Sequence, residues 1–154
     1  MMKRIKATLT TILTFVIMTV LADEPCKKCD INKVIIVSEH LDSLTYKMVD
    51  AFLSTFDKSC KTNVEFSEFG NEMLYKVLGK YTELYFQIIT NENVNNKALL
   101  IEIENPIFDL DLQDIYEKVK CSSAPPGLKT KYLDAIFKAG MKNNQLINRR
   151  MCHG

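Results

Sequence analysis

The stretch from Val64 to Ile89 constrains the fold most, because it holds the densest cluster of aromatic and aliphatic residues after the N-terminal leader. Its first half has apolar residues at helical spacing, and Ser67 can serve as the N-cap of that helix. Gly79 can take the left-handed conformation that ends a helix, and Thr82 can cap the next one. The stretch therefore predicts a helical hairpin at the centre of the core.

Helical spacing is clear in three other parts of the chain. One helix is predicted to begin at Asp42, with apolar residues four apart as far as Phe56. Another is predicted to begin after Asp109 or Asp111, either of which can cap it, and a last one covers residues 128–141. Each of these segments can bury one broad apolar face.

Two isoleucine-rich runs fit either a helix or a strand. Residues 34–37 read VIIV, and residues 97–104 read KALLIEIE. The second run lacks a well-marked partner strand, and an isolated strand cannot satisfy its backbone, so a helix is favoured there. The sequence thus predicts an all-α fold, a compact bundle or stacked hairpins of about six short helices. The alternative is an α+β fold with a small sheet from residues 34–37 and 99–103.

The first 22 residues have the pattern of a secretory signal peptide. Basic residues near the start precede an apolar, threonine-containing run from Ala7 to Leu21, and Ala22 provides the small residue of a cleavage site. We therefore expect a mature protein that begins at Asp23 and is secreted or periplasmic. The apolar run is short for a membrane span, so no stable membrane insertion is expected once it is removed.

The mature chain is predicted to contain one domain. Residues 23–33 form an extended mature N-terminus, residues 34–142 a single helical domain, and residues 143–154 a polar C-terminal tail. Loss of the leader removes three basic residues and changes the formal charge from +1 to −2. The remaining basic residues are scattered, without the stripe that phosphate binding needs, which argues against a nucleic-acid partner.

Cysteine usage agrees with export. The chain has five cysteines, at positions Cys26, Cys29, Cys60, Cys121 and Cys152. In an oxidising compartment they predict disulfides, although an odd number leaves one over and spacing does not give the connectivity.

The segment Cys26-Lys27-Lys28-Cys29 is the sharpest chemical motif. Two thiols at this spacing can close a reactive disulfide, and adjacent lysines favour the thiolate. The motif does not open a helix directly after a strand, as a thioredoxin-like site does, so structural bridges are favoured. Zinc binding by both cysteines with Cys152 and His153 is a weaker interpretation. No cofactor or metal is expected.

The sequence contains no recognisable catalytic set. Glu65, Glu68 and Glu72 are interpreted as negative charges near a helix N-terminus rather than as a general acid and base. His40 is interpreted as an ordinary, partly exposed histidine. An enzyme is therefore not predicted.

Tyrosines suggest a surface for a partner protein, because tyrosine combines apolar area with a polar tip. The candidate interaction residues are Tyr46, Tyr75, Tyr81 and Tyr85. The predicted function is an exported, non-enzymatic protein-interaction module with an unknown protein partner. The alternative is a thiol-disulfide or metal-handling protein that uses Cys26 and Cys29.

Overall fold

The computed structural model describes residues 28–91 and 94–148, and these form seven α-helices and one short 3₁₀ helix. The α-helices are α1 (Ile31–Glu39), α2 (Tyr46–Leu53), α3 (Val64–Lys80), α4 (Thr82–Asn91), α5 (Asn96–Ile103), α6 (Leu112–Cys121) and α7 (Pro126–Lys142). The 3₁₀ helix, Lys58–Thr62, lies between α2 and α3. No strand occurs in the described residues, which confirms the all-α prediction. The alternative sheet is wrong, since residues 34–37 lie in α1 and residues 99–103 in α5.

Helix α3 lies at the centre of the fold. It contacts α1, α4, α5, α6 and the 3₁₀ helix, while α6 and α5 also pack on α7. Its buried apolar residues are Phe66, Met73, Leu74, Tyr75, Val77 and Leu78. The predicted central hairpin corresponds to α3 and α4.

The beginning of α3 differs from the prediction. The N-cap is Asn63, whose side chain accepts a hydrogen bond from the Phe66 N–H at 3.1 Å. Ser67 lies within the helix and donates its hydroxyl hydrogen to the Cys60 carbonyl at 2.9 Å. Asn63 caps the helix because its side chain accepts a hydrogen bond from a free N–H group of the first turn.

The end of α3 also differs. Gly79 is helical and does not have a positive φ, and the helix continues to Lys80. Thr82 does not cap α4 from outside but is its first residue, and its hydroxyl donates to the Leu78 carbonyl at 2.7 Å. The chain therefore passes from α3 to α4 through Tyr81 alone.

Two other helix starts depend on local caps. Helix α2 begins at Tyr46, later than the predicted Asp42, because the Thr45 hydroxyl accepts from the Met48 N–H at 3.4 Å. Asp111, one of two predicted caps, accepts from the Asp114 N–H at 3.0 Å at the start of α6.

The domain is helical from Ile31, so residues 31–33 are not extended as predicted. After α7, residues 143–148 fold back on the domain, and Gln145 donates to the Leu110 carbonyl at 2.9 Å. The predicted signal peptide, Cys26 and Cys152 lie outside the described residues. Among the helices that the structure describes, none has the length and apolar character needed to cross a membrane.

Candidate interaction groove

Two of the four candidate tyrosines are buried. Tyr75 and Tyr85 have no exposed surface. The Tyr75 hydroxyl donates to the Ile103 carbonyl, and the Tyr85 hydroxyl lies 3.0 Å from that of Tyr132. Burial raises the pKa of both hydroxyl groups. These tyrosines stabilise the core and do not form an exposed patch with the other two.

The other two tyrosines are partly exposed but line different clefts. Tyr46 lines a cleft beside α1 and α2, together with Lys33 and Met48. Tyr81 lines a cleft at the junction of α3 and α4. The predicted four-tyrosine surface is therefore not formed as one patch.

Two adjoining clefts lie where α3, α4 and α6 meet, next to the candidate residue Tyr81. Their volumes are about 430 and 360 Å³, and both are lined by Gly79, Lys80 and Lys118. Their apolar lining residues include Leu84, Leu110 and Ile115. We call the surface made by these six residues the α3–α6 groove.

Gly79 lines both clefts at a close approach of α3 to α6. A Cβ atom at this position would lie 3.3 Å from Ile115 Cγ1, tighter than an ordinary contact. The absence of a side chain lets α3 approach α6 closely at this point, where the two clefts share lining residues.

Three lysines surround the α3–α6 groove, and each forms one surface ion pair. Lys76 lies 2.6 Å from Glu72 and Lys118 lies 2.6 Å from Asp114, in both cases one helical turn apart. Lys80 pairs with Asp42, whose side chain is 96% exposed. Hydrogen bonding raises the pKa of Lys80 and lowers the pKa of Asp42.

The two remaining carboxylates along the groove are engaged by the protein itself. Asp111 caps α6, as described above, and Glu83 accepts hydrogen bonds from the Ser123 N–H, at 3.0 Å, and from the Ser123 hydroxyl. Each lysine ammonium has three donors and uses one in its ion pair. The groove therefore offers hydrogen-bond donors beside apolar side chains.

The other charged candidates lie at the surface. Glu65 and Glu68 are exposed on α3, with Glu65 in its first turn. His40 is exposed, and its Nδ1 lies 3.0 Å from the Ile36 carbonyl oxygen. These residues do not share a cleft with the α3–α6 groove.

A disulfide joins Cys29, just before α1, to Cys60 in the 3₁₀ helix, with the Cα atoms 5.3 Å apart. Cys121 is disulfide-bonded as well. Because Cys29 is bonded to Cys60, it does not offer a thiolate for exchange with Cys26 or for a metal in this state. In residues 28–91 and 94–148, no group of three or more His, Cys, Asp or Glu residues could hold a metal ion.

The groove lysines are not among the candidate residues that the sequence predicts. The Glu72–Lys76 and Asp114–Lys118 pairs follow helical spacing and are visible as patterns. The pair between Lys80 and Asp42 joins residues 38 positions apart and depends on the tertiary fold.

No protein-family model matches the chain, and no curated protein or solved structure matches it either.

Proposed function

We propose that this protein is an exported, non-enzymatic interaction module whose α3–α6 groove receives a segment of a partner protein. The observation that carries the proposal is the continuity of two clefts through Gly79, Lys80 and Lys118, with apolar side chains in both. Grooves between helices that combine apolar side chains with a polar rim commonly bind peptide segments.

Fixed surroundings favour this use of the groove. Tyr81 donates to the Leu41 carbonyl at 2.9 Å and accepts from the Leu44 N–H, so the residue at the α3–α4 junction is held in place. The opposite wall is α6, which packs on both α3 and α7. A site that is already formed spends less free energy on ordering when it binds.

The disulfide supports export, because disulfides persist mainly in oxidising compartments. The alternative role in thiol-disulfide exchange or metal handling has less support, since Cys29 is bonded to Cys60 rather than Cys26.

Site-specific photo-crosslinking tests the proposal. Benzoylphenylalanine replaces Leu84 in the groove and, as the matched control, Leu146, which is 99% exposed and lines neither cleft. The protein is expressed in its own source cells, and captured proteins are purified and assayed for binding to the unmodified chain. We expect the Leu84 position alone to capture a protein that also binds in the purified pair.

Charge-reversal variants make the assay specific. Lys80→Glu and Lys118→Glu should weaken the purified pair, whereas Lys97→Glu, on α5 outside both clefts, should not. Equal capture from Leu84 and Leu146, or equal weakening by all three charge reversals, would count against the proposal.

A further inference from the structure

We infer that the occupant of the α3–α6 groove is an acidic protein segment with apolar side chains, whose carboxylates bind Lys80 and Lys118 in place of Asp42 and Asp114. This inference rests on the proposed function, because it specifies the chemistry of the partner for the same groove.

Lys80 is the first of the two lysines that the occupant binds. It lines both clefts, and its present partner, Asp42, lies outside them in the connection between α1 and α2. Ion pairs that are this exposed contribute little to stability, because water solvates both charges and screening is strong. A carboxylate from a partner can therefore replace Asp42 at small cost.

Lys118, on the opposite wall formed by α6, is likewise a lysine in an exposed ion pair. It also lines both clefts, and it pairs with Asp114 through side chains that are both about half exposed. Asp114 lies one turn earlier on the same helix, and such pairs are weak. The two lysines thus present exchangeable positive charge on both sides of Gly79.

The carboxylates on the groove do not offer the same opportunity to a basic segment. Asp111 is engaged by the first turn of α6, and Glu83 by Ser123. A basic ligand would have to displace these contacts, whereas an acidic ligand displaces only the exposed ion pairs of Lys80 and Lys118 and also finds unused donors on their ammonium groups.

The apolar side chains of the groove indicate that the occupant also carries apolar side chains. Leu84, Leu110 and Ile115 line the two clefts and gain from contact with apolar groups. An amphipathic segment that carries carboxylates beside its apolar face matches both features of the groove.

The inference predicts opposite effects for the two halves of one ion pair. Lys80→Gln removes a cation that the occupant uses, so affinity should fall. Asp42→Asn removes the competing carboxylate, so affinity should rise. If the ion pair only maintained the shape of the groove, both Lys80→Gln and Asp42→Asn would lower the affinity.

The experiment uses the chain from Asp23 onward and a synthetic amphipathic helical peptide with leucine on one face and glutamate beside it. The matched peptide has glutamine at every glutamate, and binding is measured by fluorescence anisotropy at low and high salt. We expect the glutamate peptide to bind at least about tenfold more tightly, with the difference reduced by salt. Lys80→Gln should weaken its binding about fivefold and Asp42→Asn should strengthen it, while Lys97→Gln leaves it unchanged.

Equal binding of the two peptides, no detectable binding of either, or weaker binding by Asp42→Asn would overturn the inference. Failure here is distinguishable from failure of the proposed function. If the Leu84 crosslinker still captures a protein that binds in the purified pair, the groove is an interaction site with an occupant of different chemistry.

Discussion

The ammonium group of Lys80, at the end of α3, forms an ion pair with the carboxylate of Asp42 in the connection between α1 and α2. The next residue, Tyr81, holds the same connection through hydrogen bonds to Leu41 and Leu44. The connection is therefore anchored twice, once by exposed charges and once by a partly buried hydroxyl. Because the hydroxyl remains in place, the ion pair can open without releasing the connection.

Removal of the Tyr81 hydroxyl should destabilise the protein more than removal of the Asp42 charge. Tyr81→Phe loses two hydrogen bonds and should lower the free energy of unfolding by about 1 kcal/mol, whereas Asp42→Asn should have a smaller effect. Urea denaturation of both variants measures the difference. A larger loss in Asp42→Asn would show that the ion pair is the main anchor and that it does not exchange freely.

Loss of the Cys29–Cys60 disulfide should be costly. The two cysteines are 31 residues apart, and closing a loop of that length stabilises a protein by about 3–4 kcal/mol in the chain-entropy description. The Cys29→Ser/Cys60→Ser double variant should show this loss in non-reducing urea denaturation. The wild-type chain under reducing conditions serves as the comparison, because it loses the Cys121 disulfide in addition to the Cys29–Cys60 disulfide. A loss below about 1 kcal/mol would contradict the structural role of the bond.

Asn71 should be one of the most sensitive polar positions. It is fully buried on α3, and its amide nitrogen donates to the Glu102 carbonyl at 3.0 Å while its oxygen accepts from the Ile107 N–H at 3.2 Å. Asn71→Ala should cost roughly 2–4 kcal/mol, because it leaves buried polar groups without partners. Asn105→Ala, at an exposed position, is the control and should cost less in thermal and urea denaturation. Equal losses would contradict the role assigned to Asn71.

Glu102 should make the stability depend on pH. Burial raises the pKa of its carboxyl group, although a hydrogen bond from Asn71 and the charge of Lys61 oppose the change. A carboxyl with a raised pKa binds a proton more tightly in the folded state, so its contribution to stability falls as pH rises above about 4.5. Glu102→Gln removes this dependence, and we expect the variant to gain stability relative to the wild type between about pH 4 and pH 7.

Urea denaturation at both pH values measures this change, with Glu65→Gln, at an exposed position on α3, as the control for loss of one charge. A Glu102→Gln variant that instead loses relative stability as the pH rises would show that the hydrogen bond and nearby charge outweigh burial.

The helical character of the chain could be predicted from periodicity, but helix starts could not be placed as well. The sequence predicts that α2 begins at Asp42 and that Ser67 caps α3, whereas the caps are Thr45 and Asn63. All four residues have suitable side chains, and the choice depends on which backbone N–H each can reach in the folded protein. The sequence pattern does not give the distance between a side chain and the backbone N–H group that it could cap.

The sequence pattern also could not predict that two of the tyrosines are fully buried. Tyr75 and Tyr85 lie next to core positions at helical spacing, which fits either a core edge or a full interior site. Their hydroxyl groups can be buried because they find partners 28 and 47 residues away. The α3–α6 groove has the same origin, since the proximity of Gly79 to Ile115 follows from tertiary packing.

Mapping of backbone amide NMR shifts tests the binding site most directly. The chain from Asp23 onward is titrated with the glutamate peptide, and the largest shift changes are located on the structure. The account predicts that they cluster at Gly79, Lys80, Leu84, Ile115 and Lys118, on both walls of the α3–α6 groove. Changes centred instead on Lys33 and Tyr46 beside α1 and α2, or no changes at saturating peptide, would contradict it.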